Sequence, residues 1–168
     1  MDAKSYFDIE GYFEGICRRN KFAQEHKFHF CTCSGAENLQ GPIANFRTEQ
    51  AFFCVDDTND GTLFRGRSGG WFKNRTMTVF LLHRYRMKDM KDRAAKMDIC
   101  RELFRQIASR MLVDEHNLSN DLIYLQTDNI LSREFGEYTL SGCTGLYFMI
   151  DVAEPTDLVY DESEWIEI

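Results

Sequence analysis

The chain has 168 residues, 43% of them hydrophobic and 14% aromatic, with a formal net charge of −7. That balance fits one globular domain and excludes a disordered chain, and the acidic sum argues against bulk affinity for nucleic acid. The longest apolar runs, such as Val79 to Leu82, are too short to span a bilayer, and the opening MDAKSYFDIEG lacks the basic-then-apolar pattern of a secretory signal, so a cytoplasm-like compartment is expected.

Ser5 to Asn20 reads as a helix, with Tyr6, Ile9, Phe13, Ile16 and Cys17 at three- and four-residue spacing on one face. Ser5 suits its N-cap, and Asp8 the third position, where an acid complements the helix dipole. Gly11 and Gly15 weaken the helix or admit a close backbone neighbour. Lys27 to Ser34 alternates as a strand, with Phe28, Phe30 and Thr32 on one face and His29, Cys31 and Cys33 on the other. Gly35 to Thr48 is rich in turn signals. Ala51 to Val55 is a short buried strand. Asp56 to Gly70, with four glycines, reads as a long mobile loop or arm. Trp71 to Arg86 follows as a long strand in which Met77, Val79 and Leu81 alternate with Thr76, Thr78, Phe80 and Leu82, a pattern that suits cover on both faces.

Asp89 to Glu115 is the clearest helix. Met90, Ala94, Met97, Cys100, Phe104, Ile107 and Met111 form its apolar stripe, widened by Leu103, Ala108 and Leu112. Arg84, Arg86, Lys88, Lys91 and Arg93 cluster around its start, the unfavourable end for cations, which marks them as a basic docking patch for an anion elsewhere. Two strands are expected after it, Leu122 to Leu131 and Phe135 to Val152, and Pro155 is expected to end the regular structure. The order predicts an α+β fold: a mostly antiparallel sheet, one long amphipathic helix packed on a face, a short N-terminal helix and an extended acidic C-terminal tail. Residues 1–153 make the single domain, with the arm at 56–70, and 154–168 the tail.

The charge is concentrated at one end. Asp151 to Ile168 holds seven carboxylates and no Lys or Arg, so residues 1–150 sum to zero. The same segment carries Leu158, Val159, Tyr160, Trp165, Ile166 and Ile168, which a purely solvated acidic tail would not need. Leu158, Tyr160, Trp165 and Ile166 are therefore candidate interface residues. In the arm region Arg65, Arg67, Trp71, Phe72, Lys73 and Arg75 mix cations with aromatics, which suits a protein interface or a nucleic-acid channel.

Motifs for catalysis read as structure. GTLFRGRS at Gly61 to Ser68 has the spacing of a phosphate loop, but a strand rather than a helix follows it. His26, His29, Cys31 and Cys33 lie along a strand, which fans ligands out, so a packed strand face is the better reading than zinc. Cys17, Cys31, Cys33, Cys54, Cys100 and Cys143 read as free thiols. The run from Ser141 to Gly145 lacks the strand-to-helix turn of a nucleophile elbow. No catalytic residue, metal ligand or cofactor is assigned.

The segment TMTVFLLHRYRMKDMKDRAAKMDICRELFRQIASRML, followed by GEYTLSGCTGLYFMIDVAEP, resembles the tail-terminator and tail-completion proteins of tailed bacteriophages, in which a strand enters one amphipathic helix and a hairpin with a glycine turn precedes the last strand. The likeness is architectural and covers roughly Ser5 to Tyr160. The cysteine and aromatic content, acidic ending and glycine-rich arm fit a phage of anaerobic gut bacteria, including the crAss-like group. The resemblance implies a non-enzymatic ring subunit of six or twelve copies at the tail end or head–tail connector, resident in the virion and assembled in the host cytoplasm. Its partners would be copies of itself and other tail or connector proteins, with any DNA contact confined to the lumen and no membrane. The loop at 56–70 would be the arm, and the tail would clasp the next subunit at the basic patch. Two other classes fit the residues: a cytoplasmic adaptor that docks a partner through its acidic-aromatic tail, and a small enzyme, for which no convergent polar site can be assembled.

Overall fold

The computed structural model describes residues 6–137, 140 and 142–166. The expected roles of Ser5, Ser141 and Ile168 fall outside these residues. The fold is α+β, as expected: a seven-stranded, mostly antiparallel sheet with one long helix and a short N-terminal helix on one face.

Helix α1 spans Ile9–Arg19, and its N-cap is Asp8, whose carboxylate accepts the Gly11 N–H at 2.9 Å. Asp8 therefore satisfies an orphan amide directly rather than standing inside the first turn. Ile9, Phe13, Ile16 and Cys17 are buried. A short helix α2, Lys21–Glu25, is capped by Asn20 and leads into strand β1, Phe28–Cys33. The turn-rich stretch beyond holds a 3-10 turn and helix α3, Gln40–Asn45.

Strand β2, Ala51–Asp56, is buried throughout and pairs parallel with β1. The expected mobile loop is in part a strand: β3, Asp60–Arg65, pairs antiparallel with the first half of β4, Trp71–Arg84. β2 pairs with the second half of the same β4 edge. Between the two pairings, residues 56–59 face only Met77 and Thr78, so β2 and β3 behave as one long strand broken by a bulge. Asp56 holds that break, its Oδ1 accepting from Gly35 N at 3.0 Å, Thr58 N at 2.9 Å and the Thr58 hydroxyl at 2.7 Å.

Helix α4, Met90–Asn120, runs 31 residues, or about 46 Å, five residues past its expected end. Asp89 caps it, and it stops where Leu122 takes a φ of +61° and Ile123 N bonds back to Leu118 O at 3.0 Å. Short strands β5, Tyr124–Leu125, and β6, Leu131–Glu134, both border the last long strand β7, Cys143–Thr156. β7 pairs with β4 along all 14 residues, from Trp71↔Thr156 to Arg84↔Cys143. Pro155 does not end the strand. Pro155 pairs with Phe72 of β4 near the end of the strand, past the β5 pairs at Val152 and Ala153, and the tail begins at Asp157 instead.

The two faces of the sheet carry separate cores. Met77, Val79 and Leu81 of β4, with Phe148, Ile150 and Val152 of β7, pack under α1 and α4 against Phe13, Leu103, Ile107 and Met111. On the reverse face Phe52, Cys54, Phe80 and Leu82 pack with Leu39 and Ile43 of the α3 region and with Leu140 and Cys143. The alternation in β4 thus reports two covered faces at its C-terminal end. Met90 and Leu112, placed by sequence in the apolar stripe of α4, are exposed. At Gly145, with φ +144°, a Cβ would lie 2.0 Å from the Leu81 carbonyl oxygen, so only glycine lets β7 approach β4 there.

Candidate functional site

The second core covers only part of the reverse face. Toward the Trp71 end the sheet surface is open, and it is built from β3, the start of β4, the end of β7 and β5. Phe64 and Phe72 are opposite one another in the β3–β4 register and stack with centroids 5.5 Å apart. Phe72 then meets the edge of Tyr124 at 6.2 Å. Three rings therefore form a track across four strands, floored by Ala153 and Pro155, in a groove of about 580 Å³. The turn 66–70 closes its end. A Cβ at Gly66 would come within 2.7 Å of the Phe72 ring, so a larger residue there would have to displace that ring.

Of the arm residues expected from sequence, Arg65, Arg67 and Trp71 are exposed, Trp71 by 41%. Leu63 and Phe64, which sequence reasoning missed, are exposed beside them. Phe72 is half-buried in the track. Lys73 and Arg75 turn to the body: the Lys73 ammonium lies 4.9 Å from the Tyr6 ring centroid, and Arg75 donates to Glu154 and to Phe7 O, both at 2.8 Å. Glu154 also accepts Phe7 N at 2.9 Å, so this buried pair ties the N-terminal segment to the end of β7.

The basic patch is largely occupied by its own fold. Arg84 donates to Glu49 O at 2.7 Å and Ile43 O at 2.6 Å, pinning the α3 region. Arg93 donates to Phe135 O at 2.7 Å. Arg86 pairs with Asp89 at 3.0 Å and Asp92 at 3.7 Å. The Arg86 amide bonding the Asp92 carboxylate holds that acid below its ordinary range. Only Lys88 and Lys91 keep their charge on open surface without a partner among the described residues. Three of the five cations, Arg84, Arg86 and Arg93, are thus engaged by carbonyls and acids of the chain's own fold, and a docking role for the patch is poorly supplied.

The described tail residues, 157–166, are exposed apart from a half-buried Asp161. Val159 and Ile166 are 81% and 93% exposed, with Leu158, Tyr160 and Trp165 also exposed. This segment is not shapeless. Asp161 accepts Ser163 N at 2.9 Å, capping a 3-10 turn at Glu162–Glu164, and Tyr160 stacks on Trp165 at 6.1 Å. Hydrogen bonds from Ser163 keep the Asp161 carboxyl below its usual range.

Polar groups inside the fold serve packing. Tyr12 donates to Asp114 at 2.9 Å, and Arg110 closes on the same carboxylate. Burial, with that acceptor, raises the Tyr12 phenol well above its ordinary value. All six cysteines are free and buried. Burial pushes Cys17 up to about 12, and Cys54, packed against Cys31 and Cys33, is also raised. Among the described residues, no three His, Cys, Asp or Glu side chains are arranged to hold a metal. Gly61 to Arg65 are strand and the following turn enters β4, so no helix N-terminus stands behind the phosphate-loop-like spacing.

No protein-family model matches the chain, and no curated protein matches it.

Proposed function

We propose that the protein is a structural virion protein: a subunit of an oligomeric ring at the tail or head–tail connector of a tailed bacteriophage, acting by assembly and not by catalysis. One observation carries this reading. Two exposed apolar elements, the β3–β4 arm and the acidic-aromatic tail, emerge at the same end of the sheet, where Trp71 pairs with Thr156. Exposed aromatic and aliphatic groups in such numbers mark interaction surfaces. Head-to-tail contact between unlike surfaces closes rings. The architectural resemblance points to the same class.

Light scattering of the purified chain over a range of concentration and salt tests it. A closed multimer of six or twelve copies is expected. A strict monomer under all conditions would overturn self-assembly and transfer the tail to an adaptor role, which its stacked Tyr160 and Trp165 also suit.

A further inference from the structure

The occupant of the arm groove can be read from the chain itself. Among the described residues the groove is aromatic and contains no acid, and its one charged wall residue is Arg67. Arg65 stands on the other face of the same hairpin tip, opposite Trp71, and neither arginine has an ion-pair partner among the described residues. The tail offers the complement. Residues 157–166 carry Asp157, Asp161, Glu162 and Glu164 with no cation, and their turn already presents a stacked Tyr160 and Trp165. A preformed aromatic knob loses little freedom on docking.

Among the described residues, the chain's own tail does not fill its own groove: Thr156 lines it, no described residue beyond Thr156 does, and residues 157–166 are exposed apart from a half-buried Asp161. Extended, ten residues reach at most about 35 Å, enough to cross to a neighbour packed alongside. We propose, resting on the ring-subunit reading, that the tail of a second copy docks in the Phe64–Phe72–Tyr124 groove, its aromatic turn on the ring track, its carboxylates against Arg67 in the groove wall and in the field of Arg65 at the same hairpin tip. The receptor is thus the arm, and not the cations at the start of α4.

A reciprocal charge exchange tests this in the full chain. One variant carries Arg65→Glu with Arg67→Glu; the other carries Glu162→Lys with Glu164→Lys. All four side chains are exposed, and unchanged circular dichroism melts check that both variants fold. Each variant alone is expected to need about tenfold higher concentration to assemble than the wild type, because like charges then meet. An equimolar mixture is expected to recover assembly, since each tail finds a partner of opposite sign on the other variant. Two results overturn the proposal while leaving the ring reading in place: both variants assembling like a multimeric wild type, or a mixture no better than either variant alone. A wild type that stays monomeric overturns both.

Discussion

The buried Arg75–Glu154 pair is the clearest single dependence in the molecule. Its side chains are 14% and 8% exposed, and Glu154 also holds the Phe7 amide. Removing one partner strands the other in a site with little water, so Glu154→Ala is expected to cost about 3 kcal/mol, read as a lower urea midpoint. Replacing both, as Arg75→Met with Glu154→Leu, should recover much of that loss, since no charge is then left unpaired. Gly145→Ala is the backbone counterpart. A methyl group driven against the Leu81 carbonyl in left-handed backbone should cost on the order of 3 kcal/mol and reduce soluble yield. His83 adds a pH dependence. The ring is buried, and that burial, helped by nearby Lys96 and His26, lowers its pKa against the opposing pull of the Arg84 carbonyl, 2.8 Å from Nδ1, and of Asp92. The unfolded chain therefore takes up a proton first as pH falls, and stability declines below about pH 6.5. His83→Gln should flatten that slope in melts between about pH 6.5 and 5, a window above the ordinary carboxylate range.

At the scale of elements, what was legible depended on burial. α4, β1 and β4 announced themselves through period, and β2, buried throughout, through its unbroken apolar run. β3 has all six residues exposed and opens on Asp60-Gly61, so its only signal is pairing with a strand that follows it in sequence. The exposed Leu63 and Phe64 were hidden for the same reason. The basic patch failed differently: Arg84 reads as surface charge because the carbonyls it satisfies, at Ile43 and Glu49, lie far back in the chain. The tail was readable from composition, but its start was not, because Pro155 lies inside β7, paired with Phe72, and does not stop the strand. The break between β2 and β3 gives the arm its own weak point. Asp56 alone gathers three donors there, two from Thr58 and one from Gly35. Asp56→Ala should cost about 2 kcal/mol and raise amide exchange in β3 more than in β2, since β2 remains buried between β1 and β4.

For the whole molecule, the separation of body and tail makes stability and assembly independent variables. The body ends at Thr156, whose hydroxyl shares a 2.7 Å hydrogen bond with Tyr6 and whose backbone completes the β4–β7 ladder. Among the described residues beyond it, 157–166, the hydrogen bonds are internal, as from Val159 N to Asp157 at 2.9 Å, and the apolar side chains are exposed. Residues 157–168 contain five carboxylates and no Lys or Arg, so deleting them moves the formal net charge from −7 to −2. Loss of an unsupported segment should leave the melting temperature within about 1 °C of the full chain, because surface changes away from packed contacts are close to neutral. Assembly should respond in the opposite way, falling because each copy loses its aromatic knob and its acids together. Salt refines the comparison. If the acids act on Arg65 and Arg67, raising ionic strength in the full chain should weaken assembly part of the way toward the truncated form and leave the apolar share of the contact intact. Light scattering and thermal melts on the same two samples measure both quantities. A truncated chain that assembles as well as the full one would remove the tail from the interface, and one that melts much lower would make the tail part of the fold.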